Sequence, residues 1–143
     1  MLIRACFGIV ALLAATTSAA LAEQLTLNVP VSVHDITGFQ KGQVQCDALS
    51  VAVSTPEQFH STQGSTRPYR DSIGSAVAPF TLRANMMGKA GLEYRATLQL
   101  NILTTGTQRI KGYYCAISLL DSNGSMVPAS SFGGKYETAG TVP

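Results

Sequence analysis

The densest group of side chains suited to recognition is the run Arg67-Pro68-Tyr69-Arg70-Asp71. Its guanidinium groups can bind a carboxylate or phosphate through paired hydrogen bonds, and arginine and tyrosine are enriched where proteins bind one another. We predict Arg67, Tyr69 and Arg70 as contact residues. The alternative is a solvated loop whose Tyr69 packs on the domain. As exposed loop residues, all three should be replaceable by alanine at a cost within about 0.5 kcal/mol.

Motifs for catalysis or metal binding are sparse. His34 and Asp35 are adjacent, but this pair also suits a turn in which Asp35 caps backbone N–H groups. No serine lies in a G-x-S-x-G motif, and the two histidines, His34 and His60, are too few for a three-histidine zinc site. A site made by both histidines and a carboxylate stays open. We predict no catalytic residue, no metal and no cofactor.

Export is predicted by the first 22 residues. Arg4 precedes an apolar run over 5–15, and Ala20 and Ala22 form the small-residue pattern of a signal-peptide cleavage site. The run is about half the ~20 residues that span a bilayer. We predict a signal peptide over 1–22 and a secreted or periplasmic chain that begins at Glu23 and has no transmembrane segment. The alternative is an uncleaved anchor.

Cys46 and Cys115 are the cysteines that remain after this cleavage. In an oxidising compartment they can form a disulfide. The bond would close a loop of about 70 residues and contribute up to about 4 kcal/mol. Two buried free thiols or an intermolecular bridge are the alternatives.

The charge of the chain limits the classes of partner that it is expected to bind. The chain has a net charge of +2, and 13% of its residues are charged, about half the usual fraction. Nucleic acid binding requires a clustered basic surface, which this composition does not favour. The chain is long enough for one domain with a substantial core.

Alternating apolar residues predict a β domain over 23–129. Pro30 marks the first strand as an edge strand, because proline cannot donate to a ladder. The alternation slips at Ala48-Leu49, which predicts either a bulge or a strand buried on both faces. No helix is predicted. The strands are expected at 24–33, 43–54, 77–84, 92–103, 109–120 and 126–129.

Two segments show no clean period. Residues 55–75 are polar and rich in Ser, Thr, Gly and Pro, and a loop of this length is usually functional or disordered. Residues 130–143 are rich in glycine and predict a flexible tail.

The segment Gly112–Ala116 resembles the late cysteine strand of immunoglobulin variable domains, with Tyr113 two residues before Cys115. The chain has no tryptophan, and Arg109 stands where those domains carry an acidic residue. The resemblance covers two strands and implies a bond between sheets. The predicted fold is all-β: a single antiparallel β-sandwich of immunoglobulin-like architecture, with about six or seven strands and one inter-sheet disulfide.

These observations favour an exported, non-enzymatic binding or structural protein whose partner is a protein or a surface glycan. A small secreted enzyme or enzyme inhibitor acting through residues 55–75 is the alternative. A third option is addition of a strand to a partner at an open sheet edge.

Overall fold

The computed structural model describes residues 22–84, 91–128 and 136–143. It is a β-sandwich of two antiparallel sheets. The three-stranded sheet has the order β1-β5-β4, with β1 at Gln24–Ile36, β5 at Leu92–Leu103 and β4 at Arg83–Ala84. In the five-stranded sheet β3 and β6 flank β2, and both β7 and β8 pair with β6. Its strands are Lys41–Leu49 (β2), Ser72–Thr81 (β3), Gly112–Leu120 (β6), Met126–Pro128 (β7) and Glu137–Thr141 (β8).

The main core lies between the two sheets. Each long strand contributes every second side chain to it, as the alternation predicted. Val31 and Val33 of β1 are almost completely buried, and Pro30 on the opposite face is exposed. Among the strands that the structure describes, β1 pairs with β5 alone, which agrees with its predicted position at the sheet edge. The most buried members are Val31, Val33, Val44, Cys46, Ala48, Ile102, Cys115 and Leu119.

The chain passes from one sheet to the other at Leu82. β3 pairs with β2 in the five-stranded sheet, and β4, two residues later, pairs with the start of β5. Leu82 is buried at this crossing, and its N–H donates to the carbonyl of Gln40 at 2.9 Å. The inward positions predicted for Phe80 and Leu82 are confirmed.

The disulfide between Cys46 and Cys115 is confirmed, but its predicted position between the sheets is wrong. The two residues lie directly opposite each other in β2 and β6 of the same sheet, with their Cα atoms 4.1 Å apart. Both side chains point into the main core. The bond therefore fixes the pairing of neighbouring strands, and the resemblance to immunoglobulin domains does not extend to the bridge.

The register between β2 and β3 shifts at Ala48-Leu49, as predicted, but the extra residue is Ile73 on β3, because Ala48 faces Gly74 and Leu49 faces Ser72. β2 itself keeps a continuous register with β6, so the slip in its alternation has another cause. Leu49 points away from the main core and is completely buried on the outer face of the sheet. The C-terminal end of β2 is thus buried on both sides.

The prediction of a flexible tail over 130–143 is wrong for its last part. Glu137–Thr141 forms β8, and Ala139 lies opposite Tyr114 of β6. An apolar stripe is unnecessary here, because the backbone of β8 bonds to an existing strand. Gly140 also leaves room for the Tyr113 ring, since a Cβ on Gly140 would lie 2.7 Å from that ring. Residues 130–135 lie outside the described residues, as do 1–21 of the predicted signal peptide.

Candidate functional site

A second, smaller core covers the outer face of the five-stranded sheet. It is built from the ends of β2 and β6 and from residues 53–69, which fold back over them. Burial on this side explains why the polar segment 55–75 is not the open loop that the sequence predicted. The fully or nearly fully buried side chains are Leu49, Val53, Phe59 and Tyr114.

The helix α1, Pro56–Gln63, forms the lid of this second core. The Thr55 hydroxyl caps it by accepting from the N–H of Gln58 at 3.2 Å, and the Gln58 side chain accepts from the N–H of Ser54 at 2.8 Å. Proline at the first helical position is compatible with the missing N–H. The sequence Thr55-Pro56-Glu57-Gln58 therefore carried a helix-start signal that the absence of an apolar stripe concealed.

A single apolar side chain attaches α1 to the sheet. Phe59 is completely buried, and its ring stacks on that of Tyr114 with centroids 3.8 Å apart and planes 3° from parallel. Tyr69 closes the group edge-on, with its centroid 4.7 Å from that of Phe59. One large aromatic residue thus replaces the usual stripe of a surface helix.

Arg67 joins the loop after α1 to β2. Its guanidinium group bonds to the side chain of Gln45 and lies 3.1 Å from the carboxylate of Asp47. The other carboxylate oxygen of Asp47 accepts from the Ser72 hydroxyl at 3.1 Å. The Asp47 side chain is only 6% exposed. Burial raises the pKa of Asp47 above its ordinary value, and the Arg67 charge and the Ser72 hydrogen bond oppose this rise.

His60 and Glu137 form a second polar contact, between α1 and β8. The His60 Nε2 atom lies 3.0 Å from a carboxylate oxygen of Glu137, and both side chains are about one-third exposed. Burial is the main cause that raises the pKa of Tyr114, and the charge of Glu137 and its hydrogen bond with Tyr114 raise it further. Tyr114 therefore stays protonated at neutral pH and is a hydroxyl donor to Glu137.

These groups surround an open cleft of about 290 Å³ on the outer face of the sheet. Its polar and aromatic walls come from α1, from the loop after it, and from β6 and β8. The lining side chains that carry polar atoms include His60, Ser65, Arg67, Tyr69, Tyr114 and Glu137.

The three predicted contact residues separate in the structure. Arg67 and Tyr69 line the cleft, and Arg67 lies over the Tyr69 ring with its Cζ 5.2 Å from the ring centroid. Arg70 does not line it; its side chain is 73% exposed and lies 3.5 Å from Asp71. Because Arg67 contacts the buried Asp47 and Tyr69 packs on Phe59, the structure leads us to expect a loss of stability when either residue is replaced, against the expectation from the sequence.

Sequence reasoning did not select His60, Tyr114 or Glu137 as site residues. Glu137 lies in the segment predicted to be a tail, and Tyr114 was on the face of β6 expected to be solvated.

The His34-Asp35 pair lies at the end of β1, exposed, with 3.1 Å between its ring nitrogen and carboxylate, and neither residue lines the cleft. In the described ranges, no three His, Cys, Asp or Glu side chains are grouped to hold a metal ion.

A larger cleft of about 670 Å³ lies at one end of the sandwich, between Phe39, Leu92 and the 121–124 turn. Leu92 in its lining is close in sequence to residues 85–90, which are outside the described ranges, so we assign no site to it. Over the part of the chain that the structure describes, no helix is long and apolar enough to cross a membrane.

Comparison with protein-family models, curated proteins and solved structures finds no match to this chain.

Proposed function

We propose that the protein is an exported, non-enzymatic binding protein of the periplasm or extracellular space that recognises its partner through the cleft over β6. The observation that carries the proposal is the convergence of Arg67 and Tyr69 with His60 and Glu137 around one opening. Their backbones belong to a capped helix, a loop bonded to β2 and a paired strand. Residues held in this way can bind a partner at a small entropic cost.

The state of the polar groups favours binding over catalysis. A catalytic base needs a free acceptor facing its substrate. Here the carboxylate of Glu137 is paired with His60 and that of Asp47 with Arg67, so neither carboxylate is a free base. Asp47, whose pKa is raised, is covered by Arg67 and does not line the cleft.

The alternative is a small secreted enzyme or enzyme inhibitor that uses the same cleft. One observation favours the enzyme: an imidazole oriented by a carboxylate, as in His60 and Glu137, is an arrangement used for general base catalysis. Ser65 also lines the cleft and could be a nucleophile. If this is correct, His60→Gln and Ser65→Ala should each abolish turnover of the same substrate.

Export is supported by the predicted signal peptide and, weakly, by the disulfide. N-terminal sequencing of the protein recovered from outside the cytoplasm tests this part. We expect a start at Glu23, whereas a start at Met1 would contradict cleavage.

The binding proposal is tested by blocking the cleft without removing its structural contacts. Ser65 is exposed at the rim, so Ser65→Trp should fill the opening at little cost in stability. Ser32→Trp, on the exposed face of β1 in the other sheet, is the matched control. Capture of the partner from the native envelope or medium should be lost in the first variant and kept in the second. Equal capture by both variants would place the binding site elsewhere.

A further inference from the structure

We infer that the ligand of this cleft is neutral and rich in hydroxyl groups, namely one or two sugar units of a glycan. The inference rests on the proposed function and specifies its ligand. It follows from the charges, the hydrogen-bonding groups, the aromatic walls and the size of the cleft.

The charged and ionisable groups in and beneath the cleft already contact one another in pairs. The Arg67 guanidinium lies 3.1 Å from the Asp47 carboxylate, and the His60 imidazole lies 3.0 Å from that of Glu137. An anionic ligand would have to bind the Arg67 donors that Gln45 and Asp47 leave free, and it would then face the carboxylate of Glu137 in the same cleft. A cationic ligand would compete with His60 for Glu137 and would lie near the Arg67 charge. A neutral ligand incurs neither cost.

The polar groups of the cleft offer donors and acceptors side by side. Glu137 has acceptor capacity, Arg67 has donors in addition to those that bond to Gln45 and Asp47, and the Ser65 hydroxyl can do both. A hydroxyl group donates and accepts at once, so neighbouring hydroxyls on a sugar can satisfy such a mixed set. A ligand with acceptors alone, such as a phosphate, would leave Glu137 facing like charge.

Aromatic side chains supply the apolar part of the wall. Tyr69 and Tyr136 are both half-buried and line the cleft, and Arg67 lies over the Tyr69 ring. The face of an aromatic ring is negative and attracts the weakly positive C–H groups of a sugar ring. The volume, about 290 Å³, is near the lower limit of small-molecule pockets, ~300 Å³. It suits a mono- or disaccharide unit and is small for a folded partner surface.

The test is direct binding of the exported chain, with its disulfide intact, to an array of defined oligosaccharides in three classes: neutral, acidic (sialylated or sulfated) and cationic (free amino sugars). We expect binding to at least one neutral oligosaccharide. Because salt screens only ionic contacts, the dissociation constant should change less than about twofold between about 50 and 500 mM salt.

Variants then connect that binding to the cleft. Glu137→Gln keeps the shape of the side chain and removes its charge, so the dissociation constant should rise about tenfold through loss of a charge-assisted hydrogen bond. Ser65→Trp should abolish binding. Arg70→Gln, a charge change outside the cleft, should leave it unchanged. Circular dichroism of each variant confirms that it is folded.

The outcomes separate this inference from the proposed function. Binding to acidic or cationic glycans alone would overturn the neutral ligand and leave the cleft as the binding site. A second outcome would also overturn the inference: the protein binds no glycan but captures a deglycosylated protein partner. If Ser65→Trp abolishes that capture, the result supports the proposed function. Neutral glycan binding that neither Glu137→Gln nor Ser65→Trp weakens would overturn both.

Discussion

Replacing Arg67 by alanine should destabilise the protein far more than replacing Arg70, although the two residues are three positions apart in the same loop. Arg67 compensates the charge of Asp47, whose side chain is 6% exposed. Arg70 is 73% exposed and lies 3.5 Å from Asp71. Removing one partner of a buried pair costs about 3–5 kcal/mol, and exposed pairs are worth about 0–1 kcal/mol. Because Arg67 itself is one-third exposed, we expect about 2–3 kcal/mol for Arg67→Ala.

The loss of stability caused by Arg67→Ala should depend on pH. Burial raises the pKa of Asp47, so the folded protein keeps this proton at pH values where the unfolded chain has lost it. The stability contributed by the group is therefore complete at low pH and falls as pH rises from about 3.8 through the folded pKa. Arg67→Ala removes a charge that lowers this pKa, so the window of falling stability extends to higher pH. The variant should lose less stability at pH 4 than at pH 7.

Urea unfolding followed by circular dichroism at both pH values measures these differences. Asp47→Asn removes the carboxylate, so adding Arg67→Ala to it should cost much less than Arg67→Ala does in the native background. Arg70→Ala should change stability by about 0.5 kcal/mol or less at either pH. The reasoning is refuted if Arg67→Ala costs the same at pH 4 and pH 7, or if its effect simply adds to that of Asp47→Asn.

Three other substitutions test the packing. Phe59→Ala should cost about 3–5 kcal/mol in urea unfolding, since the ring is completely buried, and a loss under 1 kcal/mol would show that α1 is not attached as described. Gly112→Ala should be strongly destabilising, because its Cβ would lie 2.6 Å from the Val51 carbonyl oxygen; a thermal midpoint equal to that of the native protein would contradict this. Replacing Cys46 and Cys115 together by alanine should cost about 2–4 kcal/mol, and a stability equal to that of the oxidised protein would contradict the proposed bridge.

The sandwich was predictable because its strands carry a strong period of two. β5, Leu92–Leu103, has the bounds that the alternation predicts, and the Asp121–Gly124 turn lies between β6 and β7, in the gap between the predicted strands 109–120 and 126–129. The strand count of about six or seven falls short of the eight described strands. The difference comes from β4, which has two residues, and β8, which has no apolar stripe.

The second core was not predictable from periodicity. A helix held by one phenylalanine has too few apolar residues to show a 3.6-residue period, and β6 places Tyr114 among residues that alternation assigns to the solvent face. The position of the disulfide was not predictable for a different reason. Spacing alone cannot distinguish a bond between sheets from one between neighbouring strands, and only the register of β2 against β6 decides it.

The candidate site and the second core share their residues, and this determines how the site can be studied. Tyr69 lines the cleft and also packs edge-on against Phe59, and Arg67 lines it while compensating Asp47. Alanine substitutions at these two positions would lower binding and stability together, so neither effect could be assigned to recognition. Ser65 lines the cleft and is exposed. Filling the opening from Ser65 therefore separates recognition from folding, which the Arg67 and Tyr69 substitutions cannot do.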